Sequence, residues 1–345
     1  MFCLCMFIFR MLNLRDLQYQ TIRDWEGQIR KISQKEYVSS IGHGQYYPGE
    51  GVLTFQENLS DVAYFLGGSH HAKPAYWRMS DLMFKVQFKK VDETENFTVD
   101  SFTVISPSTS KTSEAPRLTF AAGLSLQATK SKLVGFSVNG KNLDLRSIEM
   151  SITNEIHVYE TLSKNTTYRT QTYRTPTRAA QIPIQSKSKE ILQVGDIPLP
   201  MYGSTLTLIN RDGITSGEAV LVGGNSLVED KPSPIEIMMG SKNVWEEKSN
   251  GLIYSLKFDL KTEVFEWENK EVQIPPRAHH SSMKSGNCLY VFGGVDYRTK
   301  RRYDIRPVII DLDNWAIIMA VVPEEIQIFP LSGQAFCQAI NYYFV

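Results

Sequence analysis

The 345-residue chain is short of cysteine, of long apolar runs and of net charge, and each shortage excludes a class of protein. Its four cysteines, Cys3, Cys5, Cys288 and Cys337, form no CxxC pair and have no histidine partners at metal spacing. A structural zinc site and a disulfide framework are therefore not expected, and the thiols fit a reducing compartment. No run reaches the ~18 apolar residues of a spanning helix. Basic and acidic residues balance at 37 each, so no global field draws the chain to nucleic acid or membrane, and any basic surface is local. GxSxG, P-loop and HExxH motifs are absent. Ser108 to Lys111 fits SxxK only by its letters, without companion motifs. His70-His71 and His279-His280 are neighbours, and neighbours on a strand face opposite ways, so neither pair reaches one ion. The expectation is no catalytic residue, no metal and no cofactor.

What the chain does have is a recurring pattern. In Ile274 to Trp315, a small-polar run after Pro276-Arg277 leads into an apolar strand, Cys288 to Phe292, that stops on Gly293-Gly294. Glycine doublets supply backbone at positive φ or in close approach. A second apolar strand, Arg306 to Ile310, enters an acidic turn, Asp311 to Asn314, and Trp315 opens a third. The same order recurs upstream. One copy has Ile41 to Phe55, then DVAYFLGG ending at Gly67-Gly68, then a hairpin with Phe97 in the tryptophan's place. The next has APRLTFAAGLSL, then KLVGFSVNG with the doublet decayed to Asn139-Gly140, then NEIHVYETLSKNTTYRTQTY turning at Lys164-Asn165. A third has VGDIPLPMYGSTLTLI, GEAVLVGG ending at Gly223-Gly224, a long loop holding Trp245, and the hairpin Gly251 to Trp267. IQIFPLSGQAFCQAINYYFV begins a fifth.

An apolar strand, Gly-Gly, a loop, a strand, an acidic turn and an aromatic make up the Kelch signature. The chain resembles a Kelch β-propeller: all-β, with each unit a four-stranded blade that buries its faces only against its neighbours. The implied blades span about 41–105, 115–174, 194–270 and 274–322, with a partial one at 326–345. The glycine pairs are spaced more widely than the about 50 residues of a plain repeat, and the excess lies in loops, where binding residues gather. Four blades and half a fifth leave ring closure to the N-terminal strands or to a missing blade. Residues 1–40 are an unassigned extension. MFCLCMFIFRML resembles the core of a signal peptide without a basic start or a small-x-small cleavage site before Arg10 and Arg15, and only secretion would give the sequons at Asn58, Asn96 and Asn165 meaning. Residues 12–36, with Leu17, Tyr19 and Trp25, fit a short helix or two strands.

In combination, YPGEGVLTF, VAYFLGG with its Lys73-Pro74 loop, APRLTF, NEIHVY, VGDIPLPMYGSTLTL, AVLVGGNS, the Trp245 insertion and the last twenty residues resemble one family. It is the six-bladed propeller of the V(D)J recombinase accessory subunit, the second recombination-activating protein, and its transposon-borne relatives. The resemblance covers Tyr47 to Val345. It implies a nuclear, non-catalytic subunit that joins a transposase-like recombinase in a hetero-oligomer, a heterotetramer in the family, and supports its grip on DNA flanking the cleavage site. Vertebrate members go on to a sixth blade, an acidic hinge and a histone-reading zinc finger, which this sequence does not include. Carried over residue by residue, Lys73 and Arg78 in SHHAKPAYWRMS are implied DNA contacts, and Lys164 a further one. Independently of the resemblance, YRTKRRYDIR is the densest local positive charge. Arg298, Lys300, Arg301 and Arg302, flanked by two tyrosines, fit a phosphate backbone, an acidic partner or plain solvent. Such contacts position a complex without reading sequence. The competing reading is a generic Kelch interaction module, a ubiquitin-ligase substrate adaptor or cytoskeletal scaffold. Forty residues leave no room for a BTB domain before the propeller, and residues 1–40 have too little helical patterning for an F-box.

Overall fold

The structure is a computed structural model that describes residues 10–13, 18–21, 51–56, 61–72, 76–79, 81–90, 97–108, 118–144, 149–162, 167–173, 193–230, 244–303 and 307–319. Every described element is a strand. β1 (Arg10–Asn13) and β2 (Gln18–Thr21) form an antiparallel hairpin, which decides the N-terminal ambiguity for strands where the two pair.

Four meanders come next along the chain, the first two joined edge to edge and the third with a fifth strand added. Sheet I contains β3 (Leu53–Gln56) and β4 (Val62–Leu66), a side hairpin of β5 (Ser69–Ala72) and β6 (Tyr76–Met79), then β7 (Met83–Lys90) and β8 (Phe97–Pro107). After β9 (Leu118–Thr119), sheet II contains β10 (Ala122–Ala128) and β11 (Leu133–Val138), side strands β12 (Lys141–Asp144) and β13 (Glu149–Ile152), then β14 (Ile156–Thr161) and β15 (Thr167–Tyr173). Sheet III has β16 (Gln193–Gly195), β17 (Thr205–Arg211), β18 (Ser216–Asp230), β19 (Val244–Asp259) and β20 (Val264–Gln273). Sheet IV has β21 (Ser281–Ser285) and β22 (Cys288–Phe292), a side hairpin of β23 (Val295–Asp296) and β24 (Arg301–Arg302), then β25 (Val308–Asp311) and β26 (Ile317–Met319).

The sheets stack face to face. β4 and β11 are buried at every position, the pattern of a strand covered on both faces. Odd and even residues of a strand serve different neighbours: in β18, Ala219 and Leu221 join Leu124, Phe136 and Tyr173 of sheet II, while Val220 and Val222 join Leu289, Val291 and Val308 of sheet IV. Sheet I meets sheet II through Leu53, Phe55, Tyr64 and Leu66 against Leu133, Tyr159 and Tyr168. At Gly135 a Cβ would stand 2.9 Å from the Phe55 ring, so the residue must be small where the neighbouring sheet presses in. The first strands β3, β10, β17 and β21 lie side by side in succession, which makes them the inner strands of radially arranged blades. The protein is an all-β propeller, as its Kelch-like repeats imply.

The glycine doublets supply the geometry expected of them. Gly67, Gly68, Gly223, Gly224, Gly293 and Gly294 are buried and all at positive φ. The decayed doublet does the same, with Asn139 at φ 60° and Gly140 at φ 110°, because asparagine tolerates the left-handed region better than most residues. In the first three pairs the second residue ties its sheet to the next: Gly68 N donates to Leu118 O, Gly140 N to Met201 O and Gly224 N to Arg277 O, at 2.7–2.9 Å.

Several local expectations need correction. β18 does not stop at its doublet but runs through it to Asp230, with a register shift at Val222/Gly224, because Asn225–Asp230 find partners in Val244–Ser249. Trp245, expected in a long loop, is therefore on β19 opposite Glu229. The strand expected from Arg306 begins at Val308, and Trp315 opens no strand. It closes the acidic turn at φ 61°, its N–H on Asp311 O at 2.8 Å, while the Asp311 carboxylate takes the Asp313 N–H at 2.9 Å. The linker expected from Ser106 is pinned at its start, where Ser106-Pro107 pair in parallel with Thr167-Tyr168.

Gly294 and Gly286 form a matched test. Gly294 sits at φ 96° with a Cβ position 2.9 Å from Ala278 O, whereas Gly286 sits at φ 58° in open space. Gly294→Ala should cost about 2–4 kcal/mol, strain plus clash, and Gly286→Ala about 1 kcal/mol, strain alone. Urea unfolding of the two variants measures the gap, and equal losses would remove the doublet from the account of stability.

Candidate functional site

The doublet ends each second strand or interrupts it, so the next segment of chain rises from one end of its sheet. Sheet I raises β5–β6, sheet II β12–β13, sheet III the outer halves of β18 and β19, and sheet IV β23–β24. These hairpins supply part of the wide doublet spacing, and they form a crown on a rigid scaffold.

At the root of the crown a chain of backbone bonds runs around the axis. Phe120 N donates to Gly51 O, Gly203 N to Phe120 O and His279 N to Gly203 O, each at 2.8 Å. Each of the four residues stands two positions before its sheet's inner strand, and each is left-handed, with φ of 66°, 55°, 68° and 53° in chain order. Phe120 and His279 adopt this conformation without glycine, a cost that persists only where surrounding contacts impose it. Three of the four have proline three residues earlier: Pro48 before Gly51, Pro200 before Gly203 and Pro276 before His279. That spacing was the available sequence signal, and the glycine doublets overshadow it.

Side chains close over this collar. The His279 ring meets Phe120 edge-on at 4.7 Å and lies 5.7 Å from both Tyr202 and Tyr297. Lys141 Nζ stands 3.7 Å over the Tyr202 ring and 3.3 Å from Glu247 Oε1, the same carboxylate that accepts the Tyr202 hydroxyl at 2.5 Å. Burial, reinforced by the Glu247 hydrogen bond, pushes the Tyr202 phenol far above its usual range. Burial, with Lys141 adding to it, lowers His279 to about 4. His280 is lowered to about 3 by burial first and then by Arg277, a buried guanidinium that donates to Gly293 O at 3.1 Å and stacks 4.1 Å over Tyr303. The two histidines precede β21 instead of lying on a strand, and they part company there: His279 turns to the aromatics, while His280 Nε2 meets Thr205 Oγ1 at 3.0 Å. Among the described residues no group of three or more His, Cys, Asp or Glu side chains is placed to hold a metal ion.

No family model matches the chain, and no curated protein matches its sequence. By fold the chain is similar to one in a cryo-EM structure of RAG in complex with one melted RSS and one unmelted RSS. Identity there is 18% over 79% of this chain and 66% of that chain, with a TM-score of 0.45. The structure of YjhT is similar at 13% identity over 84% of this chain and 70% of that chain, again with a TM-score of 0.45. At those scores neither likeness says what this chain does.

Of the basic residues nominated from sequence, the described ones stand at one end. Arg298, Lys300, Arg301 and Arg302 are all exposed on the sheet IV hairpin, and Arg78 stands on β6 opposite His70, so both groups belong to the crown. Lys73 lies outside the described residues. So does Lys164, but the flanking strands, β14 ending at Thr161 and β15 starting at Thr167, meet at the end of sheet II away from its doublet. The sheet III part of the crown has the opposite sign in sequence, with Glu229, Asp230, Glu246 and Glu247 against Lys248.

The buried histidines give the fold an acid dependence. Both folded values lie below the ordinary 6.5, so the unfolded chain binds protons first, and stability complete above pH 6.5 is lost as pH falls through the folded values. Each group should contribute a slope of about 1.4 kcal/mol per pH unit between about pH 6.5 and 4. His280→Gln should halve that slope in urea unfolding at pH 7 and pH 5. A slope unchanged by the substitution would assign the proton uptake elsewhere.

Proposed function

We propose that this chain is a non-catalytic accessory subunit of a DNA recombinase or transposase, acting in the nucleus. It docks a transposase-like partner that carries the cutting carboxylates and metal, and it adds basic side chains to the DNA flanking the cleavage site. The observation that carries this reading is that Arg78 and the run from Arg298 to Arg302, singled out on separate sequence grounds, stand on hairpins raised from the doublet ends of sheets I and IV. The order of the Kelch units from Tyr47 onward, with their unusual loop lengths, supplies the partner class. Lysine and arginine on projecting hairpins reach phosphates, and neutralising phosphates gives affinity without sequence selectivity. Lys164, flanked by strands that meet at the other end, is a weaker contact in this reading.

Co-expression with a transposase-like partner tests it: the two should co-purify and retain DNA more strongly than the partner alone. A pair that does not form overturns the reading and leaves the propeller intact. Within the complex, Lys73→Glu with Arg78→Glu, and separately Arg298→Glu with Lys300→Glu and Arg302→Glu, should weaken DNA retention. The slope of log affinity against log salt should shrink by about 0.9 for each phosphate that is no longer neutralised. Retention unchanged at low salt would remove those side chains from the interface.

A further inference from the structure

The sheet IV hairpin places four cations within five residues, Arg298, Lys300, Arg301 and Arg302, all exposed. Among the described residues none of the four has a carboxylate within ion-pair distance. Like charges so close repel one another and would splay an unsupported turn. The turn is instead tightly made: the Asp296 carboxylate takes the Arg298 N–H at 3.0 Å and the Thr299 hydroxyl at 2.7 Å, and Lys300 is held at φ 58°. A non-glycine residue in that region signals a conformation imposed by its surroundings.

A hydrogen-bond relay that converges on Glu247 ties the entrance of this turn to sheets II and III. Lys141 Nζ reaches Glu247 Oε1 at 3.3 Å, and the same oxygen accepts the Tyr202 hydroxyl. That hydroxyl accepts from Asn225 Nδ2 at 3.2 Å, and Asn225 Oδ1 accepts from Ser249 Oγ at 2.5 Å. Ser249 Oγ in turn accepts the Tyr297 N–H at 2.9 Å, at the entrance to the basic turn. Asn225 is 0% and Ser249 5% exposed, so neither finds water to replace a missing partner. The linked groups lie on three consecutive sheets, so the turn takes its position from the scaffold.

We infer that Asn225 and Ser249 are positioning residues that hold the basic turn at 297–302 ready for a polyanion, a phosphodiester backbone if the proposed function is right. Holding the cations in place beforehand removes the ordering cost that a loose basic loop would meet on binding.

Trypsin reads the latch directly, because the turn contains four of its cleavage positions. In Asn225→Ala and Ser249→Ala, native-state cleavage after Arg298, Lys300, Arg301 and Arg302 should rise tenfold or more, with cleavage elsewhere unchanged, as fragment masses report. Ser249→Thr, which keeps the hydroxyl, should remain as slow as the parent. If Asn225→Ala does not fold, Ser249→Ala carries the test. Unchanged cleavage in the turn, or a uniform rise along the whole chain, overturns the inference. This assay needs neither DNA nor a partner. A local rise accompanied by unchanged DNA retention upholds the latch and overturns the reading of this turn as a DNA contact.

Discussion

The collar of backbone hydrogen bonds around the axis, Gly51 to Phe120 to Gly203 to His279, is the constraint on which the rest of the structure depends. Each link requires a left-handed residue two positions before an inner strand, and that turn aims each strand beside its predecessor. A second set of bonds, from the later residue of the first three doublets, Gly68, Gly140 and Gly224, to the carbonyl four positions before the next inner strand, repeats the tie. Together they fix the angle between sheets at the point where the sheets are closest.

Packing then arises from strand periodicity. With neighbours on both faces, a second strand has no solvent side, so alternate residues such as those of β18 are sorted between sheets II and IV instead of between core and water. The same scaffold determines where charge is exposed. Segments inserted after the doublets leave the stack at one end, so a cation on any of them joins a shared surface however far apart the insertions lie in the chain.

The strand pattern and the doublets were legible because both are local: an apolar run reads as a strand, and two glycines in succession read as left-handed backbone. Asn139 kept its doublet legible where one glycine of the pair is absent. Trp245 and Trp315 were misread for a different reason. Trp245 joins β19 because a cross-strand partner extends the hairpin, and Trp315 turns left-handed to complete a bond to Asp311. Phe120 gave no local sign of its conformation, and His279 gave only the proline three residues before it, which the glycine doublets overshadow.

By itself the sequence determined most of the strands, their grouping into repeating units and the positions of the basic runs, because each of these depends on residues close together in the chain. Only the tertiary structure decided that Arg78 and Arg298–Arg302 belong to the same end of the stack, and that the strands flanking Lys164 meet at the other. It also decided that Asn225, Ser249 and Tyr202 stand in one relay and that burial makes two histidines less basic. Each of these depends on groups tens of residues apart being brought together, and stacked sheets joined at the axis accomplish that.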